Sequence, residues 1–212
     1  MARPKRDREP EKVREPGKAT GRVRVIAGTL RGRRLVVPPG DDVRPTKDMV
    51  REAVFSALDS RGAIVEAVVL DLYSGTGALA IEALSRGAAK ALLVERDRAA
   101  LDAVARNLTE LDLGSRTRVE RADAVGVVRG RPPREAPFDL VFADPPYVTT
   151  DAEVAELVAA LGAPGWLAAD ALIVIERPAR ARLNPPDGFR ACWERTFGDT
   201  LVFFVDASDP PI

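Results

Sequence analysis

Ala67-Val68-Val69-Leu70-Asp71-Leu72-Tyr73-Ser74-Gly75-Thr76-Gly77 is an apolar run that ends in a glycine turn, and the helical pattern Ala78–Arg86 follows it until Gly87. A strand without polar alternation is covered on both faces. The same unit recurs downstream. Lys90–Glu95 reads as a strand, and Asp97 caps a helix that runs through Leu111. Thr117–Arg121 reads as a strand followed by a short helix after Asp123, then Asp139–Ala143 as a strand and Asp151–Leu161 as a helix. Ala171–Glu176 is a further strand, and Phe189–Phe197 with Thr200–Asp206 form a hairpin across Gly198-Asp199. Repeated crossovers of this length give an α/β, Rossmann-like fold: a mostly parallel seven-stranded sheet flanked by helices, with an antiparallel last strand.

Upstream, the pattern differs. Residues 1–21 carry alternating charge with Pro4, Pro10 and Pro16 and little to bury, which predicts a disordered basic, proline-rich tail. Residues 22–60 read as an N-terminal hairpin and helix, and residues 61–212 as the main domain. In the hairpin, Val23 and Val25 share a face in Arg22–Ala27, Gly28 and Gly32 mark a turn, and Leu35–Val37 returns. Thr46 is expected to cap a helix with Met49, Val50, Ala53, Val54, Ala57 and Leu58 on one side.

Composition removes several chemistries. There is no histidine, so imidazole catalysis and His–metal sites are excluded; one cysteine, Cys192, leaves neither a disulfide nor a thiolate cage, and no metal is expected. Cys192 and Trp193 are expected in the core. No apolar run approaches the roughly 20 residues of a membrane helix, and no hydrophobic segment follows the basic N-terminus. These features predict a cytoplasmic chain, with monomer as the default. Lys+Arg and Asp+Glu both total 32, yet residues 1–34 hold 12 basic against 4 acidic. A basic arm on an acidic body suits a polyanionic partner. Arg22, Arg24, Arg31, Arg33, Arg34 and Arg44 are the candidate phosphate contacts.

In open α/β sheets ligands bind beyond the carboxyl ends of the strands. Asp71, Tyr73, Ser74, Gly75 and Gly77 are there, with Glu95 at the end of the next strand and Asp123 at the end of the third. Gly75–Ala80 also fits the dinucleotide pattern GxGxxA, which a bare glycine turn would satisfy as well. Asp71 separates the readings: a carboxylate beside the turn repels a pyrophosphate and attracts a sulfonium and an ammonium. Glu95 can accept from both ribose hydroxyls and Asp123 from an adenine amine. Together they favour S-adenosylmethionine over NAD.

Asp144-Pro145-Pro146-Tyr147 closes the strand Asp139–Ala143. Two prolines cannot continue a central strand, so they fix a rigid corner at the sheet edge. The lone pair of an aromatic amine is delocalised and weakly nucleophilic. The Asp144 carboxylate and the Pro145 carbonyl can each accept one of its N–H groups, which favours a pyramidal nitrogen, while Tyr147 stacks on the base. The methylated amine is acidic and needs no strong base.

A DPPY corner after a glycine-turn cofactor half resembles class I methyltransferases that act on amino groups. More closely, Arg24-Val25-Ile26-Ala27-Gly28 to Gly32-Arg33-Arg34-Leu35, then Arg44-Pro45-Thr46, Val50–Phe55, Asp71–Gly77, Asp139–Tyr147 and Gly198-Asp199-Thr200, is similar to the RsmD family, which methylates a guanine N2 in 16S ribosomal RNA. The likeness spans essentially residue 22 onward. It implies Gly75 and Gly77 along the methionine part of the cofactor, Glu95 on the ribose and Asp123 beside the adenine. It also implies Asp144, Pro145, Pro146 and Tyr147 at the amine, Arg44 and Thr46 closing the pocket, and 16S ribosomal RNA or an assembling 30S subunit as partner. DPPY alone is shared with DNA-adenine methyltransferases, and an NAD-dependent reductase or a non-catalytic ribosome-assembly factor are the readings of other classes. Glu176-Arg177 follows a strand at the same edge and is given no role here.

Overall fold

The structure, a computed structural model, describes residues 23–38 and 45–207. The tail, Arg22 and Arg44, and the side chain of Thr46, lie outside the described residues. Seven strands form one sheet: β1 (Val68–Leu72), β2 (Lys90–Glu95), β3 (Thr117–Arg121), β4 (Phe138–Ala143), β5 (Leu167–Pro178), β6 (Phe189–Phe197) and β7 (Thr200–Ala207), in the order β3-β2-β1-β4-β5-β7-β6. The first five strands pair in parallel, whereas β7 is antiparallel to both β5 and β6. Strand β5 is longer than its apolar run predicts, because residues 167–170 extend it at its less buried end.

Alternate residues of each strand serve opposite faces. Val69, Leu93, Leu140, Phe142 and Phe204 pack beneath α1 (Pro45–Asp59), α2 (Ala78–Ser85) and α3 (Arg98–Glu110). Leu70, Leu92, Val94, Val141 and Phe203 pack beneath α4 (Ala124–Val128) and α5 (Asp151–Leu161), where Trp166 is fully buried against Phe138. The caps explain where several helices start: the Asp97 side chain accepts from Ala100 N–H, and Thr150 with Glu153 forms a reciprocal capping box.

Two sequence expectations change. Helix α1 begins at Pro45, so Thr46 lies within its first turn instead of capping it; proline at the first helical position forfeits no intrahelical hydrogen bond. Cys192 is exposed, not in the core, because β6 is the edge strand and one of its faces is open; Trp193 is half-buried against Phe204.

The N-terminal arm forms a hairpin with one bridge, Arg24 to Arg34, flanked by Val25 N–H to Arg33 O and Leu35 N–H to Val23 O. Val25 and Leu35 enter the same core as β1, α1 and α2. Several of the arm's other backbone groups are satisfied by helix side chains. Glu82, 1% exposed, accepts from Ile26 N–H at 2.7 Å and Ala27 N–H at 2.9 Å, and from Arg86. Ser85 donates to Ala27 O and accepts from Leu30 N–H. Asn107 accepts from Val36 N–H and donates to Val36 O, and it also donates to Thr76 O in the glycine turn. This docking leaves no room at Gly28, where a Cβ would stand 1.9 Å from the Ser85 carbonyl oxygen at a φ of +80°.

Gly28→Ala should therefore destabilise the protein by more than the ~1–2 kcal/mol that a left-handed backbone alone costs an L-residue. Chemical denaturation read against the parent measures this, and limited proteolysis should cut first in the arm.

Candidate active site

The strand order reverses between β1 and β4, and there the sheet opens into a groove. Leu72 and Ala143 are register partners, so Tyr73 and Asp144 leave the sheet side by side. The closing hairpin reaches the same edge because β7 runs antiparallel: its first residue, Thr200, pairs with Pro178 at the end of β5.

The groove has two lobes. The larger, about 540 Å³, is lined by Tyr73, Glu95, Arg96, Ala122, the whole Asp144–Tyr147 corner, Glu176, Arg177 and Gly198–Thr200. That volume falls within the roughly 300–1,000 Å³ of small-molecule sites. The smaller, about 150 Å³, is lined by Asp48, Arg51, Asp71, Ser74, Gly75, Thr76, Ala78 and Leu79 among others. Tyr73, Asp144 and Glu176 belong to both.

The glycine turn is fixed from two sides. Glu95 accepts from Gly75 N–H at 2.8 Å and, with its other oxygen, from Arg96 N–H and Asp97 N–H. Asp71, 1% exposed, accepts from Ala80 N–H at 3.1 Å in the first turn of α2. Burial pushes the Asp71 carboxyl up to about 7, with the negative charges of Asp144 and Glu95 adding to the shift and the Ala80 hydrogen bond opposing it. A Cβ at Gly75 would meet nothing within 4 Å, whereas one at Gly77 would strike Val104 at 2.7 Å. Gly75 thus faces open space and Gly77 packs inward. The Ser74 hydroxyl is buried without a hydrogen-bond partner among the described residues.

The sequence-selected residues divide clearly. Asp71, Tyr73, Ser74, Gly75, Glu95 and Asp144–Tyr147 come together in the two lobes. Gly77 supports the turn from behind. Asp123 stands apart: it caps α4 through Gly126 N–H, pairs with exposed Arg96, and is flanked by Ala122 and Ala124, which line the larger lobe in its place. Arg24, Arg31, Arg33 and Arg34 are exposed on the arm, and Arg33 donates to Glu110 O at the end of α3. Tyr147 and Val148 are 55% and 89% exposed, an open apolar lip beside the larger lobe.

Arg51, Glu176 and Arg177 also line the groove, and the sequence left them without a role. Arg177 is buried and donates through Nη2 to Thr149 O at 2.6 Å and Asp151 Oδ1 at 3.0 Å, tying the end of β5 to the segment after the proline corner. The one available signal was position: Glu176 and Arg177 end a parallel strand at the ligand edge.

This strand order and groove define a Rossmann-like methyltransferase fold. A solved magnesium protoporphyrin IX methyltransferase (ChlM) from Synechocystis PCC 6803 with bound SAM has the fold at 16% identity and a TM-score of 0.61, covering 79% of this chain and 82% of that one. A putative methyltransferase yhhF from Escherichia coli matches at 34% identity and a TM-score of 0.74, covering 88% of this chain and 98% of that one. The family described as conserved hypothetical protein 95 matches residues 23–206. Ribosomal RNA small subunit methyltransferase D of Escherichia coli K12 is 41% identical over 157 residues, 74% of this chain and 75% of its own; the Haemophilus influenzae protein of that name is 34% identical over 189 residues, 89% and 95%. The chain belongs to this family.

The Asp71 shift has a measurable sign. Its folded value of about 7 exceeds the ordinary 3.8, so this carboxyl favours the folded state fully below about pH 4 and loses that contribution as pH rises through 7. Asp71→Asn keeps an acceptor for Ala80 without the charge. Its stability relative to the parent should climb between pH 4 and 7 and level off above; melting temperatures across that range test this, and a constant difference would refute it.

Proposed function

We propose that this chain transfers a methyl group from S-adenosylmethionine to the exocyclic N2 amine of a guanine in 16S ribosomal RNA. The observation that carries the reading is the meeting of the two lobes at Asp144, where a carboxylate beside a proline corner borders both a small acidic lobe and a nucleoside-sized one. The names of the relatives supply the substrate class.

The residues fit the cofactor on their own geometry. Gly75 leaves the space a ligand backbone needs, and the buried Ser74 hydroxyl lacks a partner among the described residues. Glu95 sits at the mouth of the larger lobe with oxygen lone pairs beyond the three amides it holds, suited to ribose hydroxyls. Asp71 and Glu176 give the smaller lobe the negative potential that an ammonium requires, and Asp144 at the junction adds the charge that suits a sulfonium. Asp123 serves as a helix cap, and Ala122 and Ala124 offer an apolar wall to the adenine instead. When bound, S-adenosylmethionine supplies a methyl group on a positively charged sulfur.

The chain's task is to present the amine. Asp144 accepts one N–H and the Pro145 carbonyl the other, which draws the nitrogen toward a pyramidal geometry and turns its lone pair to the junction of the lobes. Exposed Tyr147 stacks on the extruded base. Arg177 holds the backbone after the corner through Thr149 and Asp151, so the acceptors stay in place. The product nitrogen starts cationic and acidic and gives its proton through Asp144 to water. Rate enhancement then rests on orientation and on fixed negative charge where positive charge develops. The exposed arginines of the arm contact phosphates, a term that weakens with salt.

Asp144→Ala should lower methyl transfer by about 10²–10³-fold, the scale of losing one preorganised polar partner. Affinity for S-adenosylhomocysteine, measured by calorimetry, should change less than about 3-fold; a fully active variant would sink the mechanism. With labelled cofactor, nucleoside analysis should find N2-methylguanosine in small-subunit ribosomal RNA. Label in adenine of duplex DNA alone would move the assignment to DNA.

A further inference from the structure

The smaller lobe poses an electrostatic problem. Among its described lining residues Asp48, Asp71, Asp144 and Glu176 are acidic and Arg51 is the single basic one. Such a lobe attracts the sulfonium and ammonium of an amino-acid ligand and repels its carboxylate. Arg51 is 6% exposed and projects from α1. Its Nη2 donates to Arg24 O at 2.6 Å and to Asp48 Oδ1 at 3.0 Å, while its Nε is buried with no partner among the described residues. A buried N–H left without an acceptor costs free energy that a ligand oxygen would recover. Ala78 and Leu79 of the first turn of α2 line the same lobe, and helix N-termini favour anions. One carboxylate can use both features.

Resting on the methyl-donor reading above, we propose that Arg51 is the carboxylate receptor of this site: it takes the α-carboxylate of the cofactor's amino-acid end between its guanidinium and the start of α2, leaving the ammonium to the acidic wall. Arg51 is then a specificity residue that distinguishes ligands with an α-carboxylate from otherwise identical ones without it. Lysine would keep the charge but lose the planar fork that also grips Arg24 O.

The test is a binding titration of the full chain with three probes: S-adenosylhomocysteine, its decarboxylated analogue, and 5′-methylthioadenosine, which lacks the amino-acid end. The parent should bind S-adenosylhomocysteine about 30-fold tighter than the decarboxylated analogue, the range of a charge-assisted contact. Arg51→Gln should weaken S-adenosylhomocysteine by a similar factor and leave the other two probes within about 3-fold, and Arg51→Lys should fall between. Equal weakening of all three probes by Arg51→Gln would make Arg51 a structural residue and overturn the proposal. So would a parent that binds the decarboxylated analogue as tightly as S-adenosylhomocysteine, a result that needs no variant to fold. A parent that binds none of the three removes the methyl-donor reading itself.

Discussion

Leu72 and Ala143 face each other on the two central parallel strands, and the residues after them, Tyr73 and Asp144, therefore emerge at one height on neighbouring strands. Parallel strands deliver their carboxyl ends to one edge, and the reversal of strand order separates the crossovers there. The glycine turn belongs to one strand and the proline corner to the other. A slip of one residue in this register would turn either Asp71 or Phe142 to the opposite face and pull the two halves of the groove out of line. Such a slip is opposed because Leu70, Leu72, Val141 and Ala143 are buried beneath α4 and α5.

Polar groups then lock what packing has placed. Glu95 holds the turn from β2, Asp71 holds the start of α2, and Arg177 holds the backbone beyond the corner. Each is a charged group at a strand end, where burial is partial or a ligand-sized space is near. Asp71 bears the cost most plainly, with its carboxyl raised to about 7 by removal from water. Such a desolvated carboxyl is common at binding sites and uncommon elsewhere.

The regular part of this architecture was legible because its signals are local. Continuous apolar runs, the Asp97 cap and the Gly198-Asp199 turn each declare an element without reference to the rest. Asp144–Tyr147 was legible for the same reason: two prolines after a buried strand admit few structures. What the sequence hid are roles created by distant partners. Glu82 reads as one more helix residue, yet it meets Ile26 and Ala27 across 56 and 55 positions. Arg51 reads as the polar side of α1 until its lobe is seen. Asp123 has a second, local role: a carboxylate after a strand is equally a helix cap, and capping needs only the three residues that follow. Cys192 misled because neighbouring Ala191 and Trp193 suggested burial, while the place of Phe189–Phe197 at the sheet's edge is set by its partners.

Asn107 connects two segments that otherwise have separate tasks. Its carboxamide holds both backbone groups of Val36 and, through the same nitrogen, the carbonyl of Thr76. Because that amide is planar and fully occupied on those sides, the segment around Val36 and the loop at Thr76 are geared together. The basic ribbon is thereby fastened to the glycine turn by one side chain, without passing through the sheet.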